Sequence, residues 1–199
     1  MQSEKEKMIS GNPYKASDAL LTKERELAKE ILFDFNNLRP AETVKRNSLI
    51  KKLFGKTSAG FHIEPPLRCD YGYNIEIGEN FYANYNLVIL DCAKVIIGNN
   101  VFIGPNVGIY TAGHPLHSHL RSQEYEFALP ITIGNNAWLG GNVVINPGIK
   151  IGDNTVIGAG SIITKDMPAG VLAFGNPCKV VRQITDADKN YFYKNFTVQ

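Results

Sequence analysis

Cysteine, tryptophan and histidine are all scarce in this chain, with three, one and four residues among 199. The cysteines, Cys69, Cys92 and Cys178, are odd in number and far apart, which excludes a disulfide framework and a CxxC metal site. A reducing, cytoplasmic setting is the simplest expectation. No run of eighteen apolar residues exists, so neither a transmembrane helix nor a membrane partner is expected. The opening stretch MQSEKEKMISGNPYK lacks the apolar core of a secretory signal. Charge of one sign is lacking too. The formal net charge is +2 with no long basic run, which argues against nucleic acid as a partner. The length suits one substantial domain, with or without an appendage.

What the chain has is a sixfold rhythm. Ile133, Leu139, Ile145, Ile151, Ile157 and Ile163 are spaced by six, and a smaller or medium residue follows each four positions later. Gly134, Gly140, Gly152 and Gly158 stand directly after four of them. Earlier blocks around Ile97, Ile103 and Ile109, and around Ile75 and Ile77, behave alike. A helix repeats near 3.6 and a strand at 2, so neither alone fits. A short strand that turns a corner every six residues does fit. Three such faces close a triangular coil, and stacked coils make a hexapeptide parallel β-helix rising ~4.8 Å per coil. Glycine and asparagine are expected at the corners for their tolerance of positive φ.

Two segments break the phase. Ile109 to Ile133 spans 24 residues, a whole number of hexads, so the intervening loop is expected to leave from one corner and re-enter in frame. Ile89 to Ile97 spans eight, which places two extra residues around Asp91 and Cys92. A bulge there is expected to turn the Asp91 side chain outward; Cys92 reads as a small apolar filler. Upstream, residues from Ser17 to Phe54 read as two helices, with Ser17 or Asp18 as the cap of the first. The end of the chain reads as an irregular exit, a short strand and a C-terminal helix. The expected organisation is therefore a helical segment at 1–58, a β-helix at 59–184 with a protruding loop at 111–130, and a tail at 185–199. The helices would shield an open end of the solenoid from edge pairing.

The loop carries His114, His117 and His119. Such loops on rigid solenoids commonly carry function. The H-x-x-H-x-H spacing invites a zinc reading. γ-Class carbonic anhydrases use the same β-helix but draw a further histidine from a separate coil, and the only other histidine here, His62, precedes the repeat. A non-catalytic β-helix scaffold is the other alternative. Trp138 reads either as packing or as the lining of a groove.

The hexads, the stretches ANYNLVILD, TAGHPLH and ITIGNNAWLGGNVVINPGIKIGDNTVIGAGSIITKDMPAGVLAFGNPCKVVR, and the N-terminal helical pair resemble the maltose and galactoside O-acetyltransferases. The resemblance implies a mainly β, left-handed parallel β-helix and an acetyl-CoA-dependent, metal-independent enzyme. It also implies a homotrimer whose sites lie between adjacent β-helices, with a sugar or other small hydroxyl compound as acceptor. His114 would be the general base of a direct transfer. Asn84 would lie near the acetyl group or acceptor. Gly141, Ala159, Thr164 and Lys165 would follow the pantetheine arm, and Lys179 and Arg182 would meet the CoA phosphates. Lys179 stands where relatives carry Arg, which keeps the charge but loses the bidentate fork. Asp70, Asp91 and Cys92 fall in the acceptor region; some galactoside-type relatives have Ser and Asp in place of Asp70 and Cys92. Glu126 fits the E-x-x-x-P pattern of maltose-type relatives, as an acceptor contact or an orienter of the loop.

Overall fold

Each hexad forms two to four residues of strand before the chain turns, and the turns bring every third hexad into register. In the computed structural model, which describes residues 2–193 and 196–197, three parallel sheets result. On the first, Cys69, Ile89, Ile109, Ile145 and Ile163 are successive partners. On the second the column is Ile77, Ile97, Ile133 and Ile151, and on the third Ala83, Ile103, Leu139 and Ile157. All these side chains are buried and point into one continuous interior. The parallel β-helix read from the sixfold rhythm is therefore present.

The corners carry the positive φ expected of asparagine and glycine, the latter at Gly60, Gly160 and Gly170. Positive φ falls to asparagine at Asn80, Asn100, Asn136 and Asn154 along one corner, with φ of 54, 55, 56 and 56°. The glycines that directly follow the inward aliphatics have no positive φ and serve close approach. A Cβ on Gly140 would lie 2.6 Å from the Ala159 nitrogen of the next coil, and one on Gly98 would lie 2.8 Å from that of Asn135. The asparagines do more than accept the strained backbone. The Asn80 amide donates to Asn100, Asn100 to Asn136 and Asn136 to Asn154, each at 3.0 Å. Asn136→Ala should therefore cost about 1–2 kcal/mol through its left-handed φ alone, whereas Asn136→Gly escapes that strain and loses only the amide bonds. Urea unfolding of the two variants should rank glycine as the milder change.

Helix α1 (Glu4–Ile9), α2 (Ala19–Asn37) and α3 (Thr43–Leu53) precede the coils. Asp18 caps α2 by accepting the Leu20 and Leu21 N–H groups. Ala28, Leu32, Phe35, Ile50 and Leu53 extend the solenoid core over its first turn. Asn36 then closes the edge strand Leu67–Cys69: it accepts the Leu67 N–H at 2.8 Å and donates to the Leu67 carbonyl at 2.9 Å. Helix α1 was not anticipated, although Ser3 and Glu6 form a capping box visible in sequence.

At the other end, Val171–Phe174 pairs antiparallel with Lys179–Gln183, which stops the parallel stacking. The expected C-terminal helix is instead a single 3-10 turn, Asp186–Asn190, followed by the strand Tyr191–Tyr193. Asp188 holds that turn by accepting the Thr185 N–H at 2.8 Å and both nitrogens of the Arg182 fork, a local closure that takes no longer helix. Among the described residues, no helix is long and apolar enough to cross a membrane.

Both phase breaks, and a third that went unread, fall at one corner. Cys69 to Ile77 also spans eight residues, so the corner after the first sheet is widened in two successive coils and carries the long loop in the next. The loop has structure of its own. Ala112–Gly113 pairs with Tyr125–Ala128, which pairs with Tyr14–Lys15 from the N-terminal segment, and helix α4 (Ser118–Ser122) spans the tip.

Candidate active site

The widened corners place a cluster of polar groups beneath the loop. Asp91 is fully buried, contrary to the outward turn expected from the inserted pair. Its Oδ1 accepts the N–H groups of Asp70 and Tyr71 at 3.0 and 2.9 Å, so it closes the widened corner of the preceding coil. Asn74 donates to the Asp91 carbonyl at 2.8 Å from the other side. Asp91 thus stands one layer behind the surface, and Asp70 is the half-buried carboxylate in front of it. Cys92 is buried as expected, but it is more than filler: its thiol reaches Asp70 Oδ2 at 3.5 Å.

Burial pushes the Asp91 carboxyl up to about 6, and the neighbouring Asp70 charge adds to this. The other oxygen, Oδ2, is buried with no hydrogen-bond partner, so the neutral form suits the site. The folded value lies above 3.8, so Asp91 favours folding most below about pH 4, and that contribution is lost as pH rises through 6. Asp91→Asn keeps an acceptor for the two amides and stays neutral. Calorimetric melting across pH 4.5–7 should show a flatter profile for the variant and no loss of Tm at pH 7.

His114 stands at the end of the strand Ala112–Gly113, with its side chain 59% exposed and Nε2 3.9 Å from Glu126 Oε1. The second Glu126 oxygen accepts the Tyr14 hydroxyl at 2.7 Å. Tyr14 is fully buried, and sequence reading gave it no role. His117 caps α4 by accepting the His119 N–H, and His119 Nε2 lies 3.0 Å from Gln123 Nε2, so both are engaged within the loop.

A separate groove of about 940 Å³ runs along the third sheet. One wall carries Tyr82, Phe102 and Trp138, stacked in register on successive coils. Trp138 is more than half exposed, so it lines the groove rather than packing inside. The corner beside this sheet supplies Gly104, Pro105, Gly141 and Ala159. At the neighbouring corner, side chains of the next coil accept the equivalent N–H groups of Glu79, Asn99 and Asn135. Among the described residues, the N–H groups of Gly141 and Ala159 find no such acceptor. They remain as donors for something lying in the groove.

The groove gathers Asn84, Gly141, Ala159 and Arg182 from the residues singled out in sequence. Thr164, Lys165 and Lys179 are exposed at the far end and do not line it. Nor does His114, which lies with Asp70, Asp91, Cys92 and Glu126 at the loop corner. Within one chain the candidate residues do not form a single group: groove and loop corner stand apart, and Thr164, Lys165 and Lys179 belong to neither.

The maltose acetyltransferase hexapeptide capping motif matches residues 7–58, and the bacterial transferase hexapeptide motif (six repeats) matches residues 130–165. The galactoside O-acetyltransferase of Escherichia coli (strain K12) is 51% identical over 179 residues, covering 90% of this chain and 88% of that protein. The crystal structure of a maltose O-acetyltransferase from Clostridium difficile 630 is 50% identical with a TM-score of 0.91, over 93% of this chain and 99% of that one. A galactoside acetyltransferase in complex with coenzyme A is 47% identical with a TM-score of 0.96, over 100% of both chains. With this identity sustained through capping helices, coils and loop, the chain belongs to the maltose and galactoside O-acetyltransferase family of hexapeptide-repeat proteins.

Proposed function

We propose that the protein transfers acetyl from acetyl-CoA to a hydroxyl of a sugar or similar small acceptor, in one step, at a site shared between copies of the chain. The observation that carries this reading is the separation within one chain. The groove offers an apolar wall, two backbone donors and Arg182, while the one candidate base, His114, stands on a loop outside it. A neighbouring copy brings the two together, as the homotrimer implied by the family resemblance would.

In this arrangement the pantetheine arm lies along the groove past Gly141 and Ala159, and Arg182 meets a CoA phosphate. Thr164, Lys165 and Lys179 extend the track beyond the groove at the open end. Asn84, at the groove's other end, lies near the acetyl group. The acceptor rests against the loop corner, with Asp70 and Glu126 as its polar contacts. Asp91 and Cys92 support that corner from behind. His114 takes the hydroxyl proton as the oxygen attacks the thioester carbonyl carbon. A neutral imidazole is the side chain suited to that task near pH 7. The Gly141 N–H stabilises the resulting oxyanion. The C–S bond then breaks, and the imidazolium returns its proton to the departing thiolate. Neither a covalent acyl-enzyme nor a metal ion is required.

An acceptor screen with acetyl-CoA, read by thiol release, tests the activity; no release with any hydroxyl acceptor overturns it. Sedimentation of the active species tests the shared site, which a fully active monomer would contradict.

A further inference from the structure

The N-terminal segment does more than cover the solenoid. It supplies the outer strand of the sheet that holds the loop. Tyr14 is backbone-paired with Glu126 and Lys15 with Tyr125. The Lys15 ammonium sits over the Tyr125 ring at 5.4 Å, and the Ser17 hydroxyl donates to Glu124. Three successive side-chain contacts therefore fasten one strand. On the opposite edge of that strand, Gly113, the residue before His114, pairs with Phe127.

The Tyr14–Glu126 contact differs from the other two because it is desolvated and aimed. The Tyr14 ring is fully buried, and burial pushes its hydroxyl far above the ordinary tyrosine range, so it remains a neutral donor. That hydroxyl occupies Glu126 Oε2 at 2.7 Å and leaves Oε1 directed at His114 Nε2, 3.9 Å away. A carboxylate so placed stabilises the imidazolium that forms as the base takes its proton. Unheld, Glu126 has three torsions through which to leave that position.

We propose that Tyr14 is a positioning residue for acetyl transfer, its hydroxyl fixing the Glu126 carboxylate against His114. The proposal rests on the reading of His114 as the base. Tyr14→Phe is the sharp test, because it keeps the buried ring and removes only the donor. Loss of a hydrogen bond to a charged group should lower kcat by about tenfold. The KM for acetyl-CoA should stay within about twofold, because the groove is untouched. In a Glu126→Gln background the same change should add less than about twofold, the mark of action through one partner.

An NMR spectrum of the four histidine rings at fixed pH, with the His114 signal assigned from His114→Ala, reads the geometry without an acceptor. The titratable groups facing this pair are Glu126 on its strand, Tyr14 on the N-terminal strand, and Asp70 and Cys92 on the widened corners. Tyr14→Phe and Glu126→Gln should each displace the His114 ring resonances, and the double variant should displace them no further. An equal factor for Tyr14→Phe in both backgrounds, or unchanged kcat and ring resonances, overturns the positioning role. If His114→Ala keeps full turnover, the base reading itself fails. If His114→Ala is inactive while Tyr14→Phe matches wild type, only the positioning inference fails.

Discussion

His114→Ala is expected to lower kcat by roughly 10²–10⁴-fold, the range a positioned general base contributes. The KM for acetyl-CoA should change little, because His114 does not line the groove of its own chain. Folding should be unaffected as well. The imidazole is 59% exposed, and its nearest charged partner is 3.9 Å away, so its removal opens no cavity and strands no buried donor. The measurement is steady-state thiol release with both substrates varied, beside a melting curve. A kcat within about threefold of wild type would remove His114 from the chemistry, since a proton acceptor cannot be deleted at so small a cost. Mixing this variant with a chain impaired in the groove adds a further check. Mixed assemblies should regain partial activity, because some interfaces then pair an intact loop with an intact groove.

The second large effect concerns the interior. Ile145→Ala is expected to destabilise the protein by about 2–5 kcal/mol, as truncations of fully buried aliphatics do. Ile145 is fully buried and stacked between Ile109 and Ile163, so no neighbouring layer can move in without breaking its own register. Ile145→Val, which removes one methylene, should cost about 0.5–1.5 kcal/mol. Urea unfolding at fixed protein concentration gives both values. A loss under about 1 kcal/mol for the alanine variant would mean that the column is not tightly packed at this layer.

The coils were legible because each rung solves the same local problem. Ile133, Leu139 and Ile145 sit in three different sheets, yet the same spacing places each one inward. The corner insertions could be counted too. The pair at Asp91 shows as a spacing of eight between two isoleucines, whereas the equal pair between Cys69 and Ile77 is hidden because a cysteine fills the inward position of that rung. Counting cannot give direction, however. Asp91 turns inward because two amides of the coil below need an acceptor, a fact of three-dimensional stacking. The pairing of Tyr14 with Glu126 joins residues 112 apart and follows no period, so nothing local announces it. The C-terminal helix was misread because Asp188 turns back to Thr185 and Arg182 and ends the turn after five residues. The groove residues came from resemblance; their separation from the loop corner within one chain is a fact of three dimensions.

The groove follows the long axis of the solenoid and touches rungs from Tyr82 to Leu172. Successive rungs otherwise meet only the rung above and the rung below, so thermal fraying can begin at the exit hairpin and travel inward one layer at a time. An elongated cofactor lying in that channel acts as a lengthwise strut. No single rung beneath it can peel away without surrendering contacts shared by the others. Occupancy should therefore suppress hydrogen exchange in rungs far from the hairpin as well as near it, making the whole shaft open as one body.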